Sequence, residues 1–248
     1  MVETPVREEH HGLSHILVED HEWAWRFALV LWAIAGSLFV AMAIPPVRDA
    51  IQTMDEWVYD TTYPIKIAAI TPIAHFLNFI GGGLFAWPLR AAVTLVLVGK
   101  KRWEAVAAWL TALVLSEPFI WALKTLYGRE RPPEALVEVA SASFPSGHAI
   151  AGAVMAVGIV VAFVPAGPER RNLELIAAGF AFVMGGSRIY LGAHYLTDVI
   201  AGVAFGAAAA VGAAVIVHRF FVRRFVQQRQ SAYQRLKDRR RQRREAAS

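Results

Sequence analysis

The stretch Ser187–Asp198, SRIYLGAHYLTD, decides how this chain is read. It joins two apolar runs and sets an arginine, a histidine and an aspartate beside one membrane surface. With His194 in the first turn of the last helix, Asp198 falls one turn further along the same face, because residues four apart on a helix are neighbours. A carboxylate there takes the N–H of one ring nitrogen and leaves the other free to attack an electrophile. Arg188 adds a permanent positive charge suited to an anionic substrate. A nucleophile, its orienting acid and an anion clamp are thus close together in the chain.

Around that stretch the composition is that of a membrane protein. Of 248 residues, 56% are hydrophobic and only 18% charged. Apolar runs of about 20 residues recur, the length that crosses the roughly 30 Å hydrocarbon core. The fold class expected is all-α, a six-span transmembrane bundle over 23–218, with no internal repeat and no soluble second domain. There is no cysteine, which excludes disulfides and thiolate catalysis. A polar tail, 1–22, precedes the spans and lacks the basic start and small-residue cleavage site of a secretory signal. It carries His10, His11, His15 and His21, and the spacing of His11 and His15 permits a metal site, although a loose polar terminus is the simpler reading.

The first span runs from about Trp23 to Ile44 and stops at Pro45-Pro46. Residues 47–65 alternate charge with Trp57, Tyr59 and Tyr63, the pattern of an interfacial helix after span one. The apolar run from Ile67 to Val98 is too long for one straight crossing. Gly81-Gly82-Gly83 divides it into a surface lead-in and a second span over 76–98, which Pro88 is expected to kink. Further spans are expected over 105–123, 147–165, 173–187 and 194–217, the last with Gly202 and Gly206 at a spacing that allows close helix approach. From 219 to 248 the chain is strongly basic with interspersed Phe220, Phe221, Phe225 and Leu236. Attached directly to a span, this tail is expected to lie on anionic lipid head groups rather than bind nucleic acid.

Six spans put both termini on one side. Lys100, Lys101 and Arg102, then Arg170 and Arg171, then the tail share that side, which the positive-inside rule makes cytoplasmic. The loops 124–145 and 188–194 then face outward, where Lys124, Arg129, Arg131 and Arg188 go against the usual charge distribution. Binding of an anion at the outer surface explains them. Snorkelling to the interface accounts for one or two such residues, but not for four that converge on two histidines.

Three outward segments carry the chemistry: Lys124, six residues, then Arg131-Pro132; Pro145-Ser146-Gly147-His148; and Ser187-Arg188, five residues, His194, three residues, Asp198. In order and at helix ends, they resemble the three-part signature of the type 2 phosphatidic acid phosphatase (PAP2) family, membrane lipid phosphatases related to vanadium haloperoxidases. PSGH opens a span, so Ser146 and Gly147 lie at a helix N-terminus with free N–H donors and a positive dipole end. Lys124, Arg131 and Arg188 are placed to hold non-bridging phosphoryl oxygens. The resemblance implies that His194 attacks phosphorus, that Asp198 steadies it, and that His148 protonates the leaving group and then activates water. It implies a lipid phosphate substrate, a plasma-membrane location with an extracytoplasmic site, and neither metal nor cofactor. A polyprenyl diphosphate is the favoured substrate, with phosphatidylglycerol phosphate and phosphatidate as others.

Ser146 has no GxSxG setting and is not expected to be a nucleophile. Arg129 and Glu130 read as ordinary loop charges, Tyr190 and Tyr195 as interface aromatics. Glu117, two turns before Lys124, reads as a structural partner inside the bundle. The rivals are a phosphotransferase using the same intermediate and an anion or lipid transporter; the latter usually carries two related repeats.

Overall fold

A computed structural model describes the backbone of residues 21–165 and 168–245, and side chains between 24 and 221 with a gap at 166–168. The expected tail 1–22, apart from the backbone of its last two residues, lies outside the described part, as do the side chains of the basic segment from 222 onward. Eight helices follow one another in the described residues: α1 (His21–Ala43), α2 (Pro45–Thr62), α3 (Ile70–Gly81), α4 (Gly83–Gly99), α5 (Trp103–Tyr127), α6 (Gly147–Phe163), α7 (Pro168–Tyr190) and α8 (Leu196–Glu245).

Four of them, over Ala24–Ala43, Trp103–Tyr127, Glu169–Tyr190 and Leu196–Phe221, are long and apolar enough to cross a membrane. The pair α3–α4 passes the same test together but bends by 55°. The bend falls at Gly82, whose backbone is extended (φ −75°, ψ 155°), within the glycine run expected to divide this stretch. A helix cannot pass through an extended residue, so the glycine run breaks the ladder and leaves Pro88 inside α4. A further apolar helix, α6, is shorter. It is apolar all round and buried along most of its length, as the central helix of a bundle must be.

Packing centres on α6 and α8. In lipid, helices associate through close van der Waals contact rather than by escape from water, and here that contact depends on two glycines. A Cβ at Gly202 would stand 2.8 Å from the Ser146 carbonyl oxygen, and one at Gly206 would stand 2.5 Å from that of Ile150. The expected small-residue seam is therefore real, and it presses the start of α6 against the start of α8. Below it, Phe39, Phe119, Phe144 and Phe205 form an aromatic plug, with Phe119 and Phe205 stacked at 4.7 Å. Large apolar side chains such as Leu84, Trp121 and Leu95 point outward, as a lipid-facing belt requires.

Glu117 meets Arg90 of α4 at 2.7 Å, which bears out its reading as a bundle partner. At the opposite end from the Ser187–Asp198 stretch, Arg102 donates to the Phe163 carbonyl at 3.1 Å and Glu104 bonds His218. The backbone of the basic segment continues α8 without a break to Glu245.

Candidate active site

Four helix ends meet where the conspicuous motifs fall. The last turn of α5 carries Lys124, and the helix ends at Gly128, whose amide donates to the Lys124 carbonyl. The chain then folds back over the bundle as a pinned loop: Ser143 N–H donates to the Arg129 carbonyl at 2.8 Å and Leu136 N–H to that of Leu191 at 2.9 Å. Ser146 caps α6, its Oγ accepting from the Ala149 amide at 3.4 Å, as N-cap serines do. Its own amide donates to the Asp198 carbonyl at 3.0 Å, so the part left to Ser146 toward a substrate is its hydroxyl hydrogen. The turn before α8 passes through Gly192 at φ +69°, where a Cβ would lie 2.3 Å from the Glu134 carbonyl; no other residue fits there.

His194 stands two residues before α8 rather than in its first turn, yet the i,i+4 relation to Asp198 holds. Nδ1 lies 3.3 Å from Asp198 Oδ2, which places the N–H on Nδ1 and the lone pair on Nε2. Arg131 NH1 is 3.1 Å from that Nε2 and also donates to the Ala193 carbonyl. The cation suited to a phosphoryl oxygen is therefore beside the nitrogen suited to attack phosphorus. His194 is almost completely buried. That burial, with Arg131 and Lys124 nearby and only partly opposed by Asp198, pushes its pKa down to about 3. The imidazole is neutral at physiological pH, as a nucleophile must be.

Asp198 serves the fold and the site together. Its Oδ2 accepts from Ser143 Oγ at 2.5 Å and from the Tyr195 amide at 2.9 Å. The second contact is the backward reach of a capping box. Lys124 donates to the Ala142 carbonyl, and Arg131 Nε to that of Ser141 at 2.6 Å. Arg188 NH1 donates to Asn78 Oδ1, while its buried Nε has no partner within the protein. A buried guanidinium N–H without an acceptor is costly, and a phosphoryl oxygen would satisfy it. His148 Nε2 lies 3.2 Å from the Asn78 carbonyl, and Arg188, Arg131 and Lys124 are all in electrostatic reach of the ring. A Cβ at Gly147 would make only ordinary contacts, 3.8 Å from Ile120 and 4.0 Å from Lys124. The protein's own packing does not demand glycine there.

All eight expected site residues are thus brought to one end of the bundle: Lys124, Arg131, Ser146, Gly147, His148, Arg188, His194 and Asp198. A family model described as the PAP2 superfamily matches residues 103–222, the span that holds them. Over that span the chain matches the PAP2 superfamily, and it is a membrane phosphatase of the PAP2 type. A relative from Bacillus subtilis (strain 168), phosphatidylglycerophosphatase B, is 29% identical over 182 residues, 68% of this chain and 85% of its own length. The lipid A 4'-phosphatase of Bacteroides thetaiotaomicron is 27% identical over 149 residues, 53% of this chain and 64% of that protein. The crystal structure of a transmembrane PAP2 type phosphatidylglycerolphosphate phosphatase from Bacillus subtilis matches with a TM-score of 0.64 at 25% identity, over 79% of this chain and 96% of that one. LpxE from Aquifex aeolicus shares the fold, with a TM-score of 0.52 at 22% identity, over 62% and 91% of the two chains.

Three parts of this PAP2 site do not follow from the motifs. Arg129, expected to be an ordinary loop charge, is buried and bonds Asp198 at 2.7 Å; Glu130, beside it, is exposed. Tyr195, expected at the interface, is buried under the Arg129 guanidinium, 4.5 Å from its ring centroid. Asn78, on α3, touches both Arg188 and His148. Only the doubled arginine of GRERP hinted at the first; nothing near Asn78 in sequence pointed to the last.

Proposed function

We propose that this phosphatase removes a phosphate from a membrane-anchored lipid through a phosphohistidine on His194. The observation that carries the reading is the chain of contacts from Asp198 Oδ2 to His194 Nδ1 and from His194 Nε2 to Arg131. Nε2 attacks phosphorus as the P–O bond to the leaving group breaks, and the ring becomes cationic with its Nδ1–H on Asp198. Lys124, Arg131 and Arg188 hold the non-bridging oxygens and offset the charge that develops on them. The Asn78 carbonyl accepts from Nε2–H of His148; with the anionic phosphate bound, the ring takes a second proton on Nδ1 and gives that proton to the departing oxygen. In the second half His148 takes a proton from water, which attacks phosphorus and breaks the P–N bond. Three fixed cations and two imidazoles supply every role, so no metal is required by this scheme.

The proposed architecture is six spans, counting α3–α4 as one and α6 as another, with α2 at the outer surface of a bacterial plasma membrane. Lys100, Lys101 and Arg102 at the end remote from the site support a cytoplasmic side there. That side would also hold the tail 1–22 and the basic segment 219–248 on anionic lipid, and the site would open outward. The acyl or prenyl tail of the substrate then stays in the bilayer. The name of the Bacillus subtilis relative brings phosphatidylglycerol phosphate to the front of the substrate class, ahead of the polyprenyl diphosphate that an outward site first suggests.

The test is phosphate release from phosphatidylglycerophosphate, phosphatidate and a polyprenyl diphosphate, with a chelator present, for wild type and His194→Ala. Release by wild type alone is expected, together with an acid-labile, base-stable phosphoenzyme. Full activity of His194→Ala would end the reading. Product analysis with added acceptor alcohols separates hydrolysis from phosphotransfer.

A further inference from the structure

Arg129 uses its guanidinium in a way that separates it from the other cations of the site. A guanidinium has five N–H donors in a planar fork. Here each one has an acceptor within the protein: Nε on Gln52 Oε1 at 3.0 Å, NH1 on Thr197 Oγ1 at 2.9 Å and Asp198 Oδ1 at 2.7 Å, NH2 on Gln52 Oε1 and Asp55 Oδ2, both at 2.7 Å. No donor remains for a phosphoryl oxygen, in contrast to Arg188. Asp55 and Asp198 are both 0% exposed and Arg129 7%, so neither carboxylate has water as an alternative partner.

The acceptors at the far end belong to α2. Asp55 also accepts from the Thr197 amide at 3.1 Å and from the Thr197 hydroxyl. It thereby satisfies one of the first-turn N–H groups of α8 that a helix leaves without a partner. Gln52 and Tyr59 lie one turn to either side on the same face, and Tyr59 Oη donates to the Glu134 carbonyl at 3.0 Å. The other face of α2 is exposed, with Trp57 at 68%. One short helix thus pins the start of α8, the loop over the site and, through Arg129, the second oxygen of Asp198.

We propose that Arg129, held by Asp55 and Gln52 of α2, is a positioning residue that fixes the Asp198 carboxylate and through it the aim of His194 Nε2, which makes α2 part of the catalytic apparatus. The proposal rests on the reading of His194 as nucleophile. Ser143 Oγ and the Tyr195 amide already hold Oδ2, and Arg129 holds Oδ1, so the carboxylate plane is set from both sides. Lysine cannot replace the fork, because it has one compact ammonium and cannot bridge two carboxylates and an amide in a plane.

The experiment uses the full chain in detergent micelles with phosphatidylglycerophosphate, comparing wild type with Arg129→Gln, Arg129→Lys, Asp55→Asn and Arg131→Ala. The expected result is a fall in kcat of about 100-fold for both Arg129 variants and about 10-fold for Asp55→Asn. KM and the inhibition constant for inorganic phosphate should stay within about twofold, since the phosphate pocket is untouched. Arg131→Ala should raise both constants instead. Methylguanidinium should restore at least a few-fold of kcat to a further variant, Arg129→Ala, whose truncated side chain leaves room for it. Wild-type kcat in Asp55→Asn, or a rise in KM and in the phosphate constant without loss of kcat in the Arg129 variants, overturns the proposal. So does a kcat loss that disappears once rates are divided by the phosphoenzyme burst, which would show only a smaller folded fraction. Should the Arg129 variants fail to fold, Asp55→Asn decides alone. Residual full activity of a His194→Ala control would count against the nucleophile reading, not against the Arg129 contacts.

Discussion

Nδ1 of His194 stands 3.3 Å from Oδ2 of Asp198, four residues on, across the point where α8 begins. Neither residue is more than 2% exposed, so the pair is an internal one. The imidazole is oriented by a carboxylate that is itself held by Ser143, Tyr195 and Arg129.

From this geometry, Asp198→Asn should lower kcat by about 10³-fold with little change in KM, since it removes the acceptor that selects the Nδ1–H tautomer. His194→Ala should lower it further. Steady-state kinetics on one lipid phosphate measures both.

The burial of His194 has a consequence for stability. In the unfolded chain the imidazole takes a proton below about pH 6.5, whereas in the fold it does so only at about 3. Between those values the unfolded state binds more protons, so stability falls as pH falls through that window. At pH 5 the cost from this one group is about 2 kcal/mol relative to neutral pH. Thermal unfolding in detergent at pH 7 and pH 5 should show a smaller drop in Tm for His194→Gln than for wild type.

Two glycines, one at the start of α6 and one in α8 packed against it, should respond in different ways. Gly206→Ala drives a methyl group into the Ile150 carbonyl and should lower Tm and activity together, because it separates α6 from α8. Gly147→Ala meets only ordinary contacts and should leave Tm unchanged. It narrows the approach to the α6 amides, and kcat/KM should fall roughly 10- to 100-fold.

The Arg90–Glu117 pair lies within the bundle and belongs to stability. Glu117→Gln should lower Tm by a few degrees while phosphatase turnover per folded molecule stays within about threefold of wild type. Glu117→Leu should cost more, since it leaves the buried Arg90 charge without a partner. Joint replacement of both residues by apolar ones should recover part of that loss.

The helices themselves were legible because apolar length is a local property: each expected span has a helix within a few residues of it, and Pro45-Pro46 marks the start of α2. The motifs were legible because Lys124, His148 and His194 sit at helix ends, where charge in a membrane chain needs a reason. The break at Gly82 was legible in the glycine run Gly81-Gly82-Gly83, because three residues without a side chain interrupt an apolar stretch too long for one crossing. Arg129 was passed over because its partners Asp55 and Gln52 are more than 70 residues away, on a helix whose charges look like a solvated face.

By itself the order of residues determined that this chain lies in a membrane as helices, that three cations and two histidines share one end, and that an acid follows the reactive imidazole by one turn. Those are consequences of hydropathy and of helical periodicity, which act along the chain. Only the tertiary structure decided which charges bind one another and which are left for a substrate. Arg129 is consumed by Asp55, Gln52, Thr197 and Asp198, while Arg188 keeps a buried N–H without a protein partner. That division follows from the small-residue contact between α6 and α8 and the docking of α2, which set distances of a few ångströms between groups far apart in sequence.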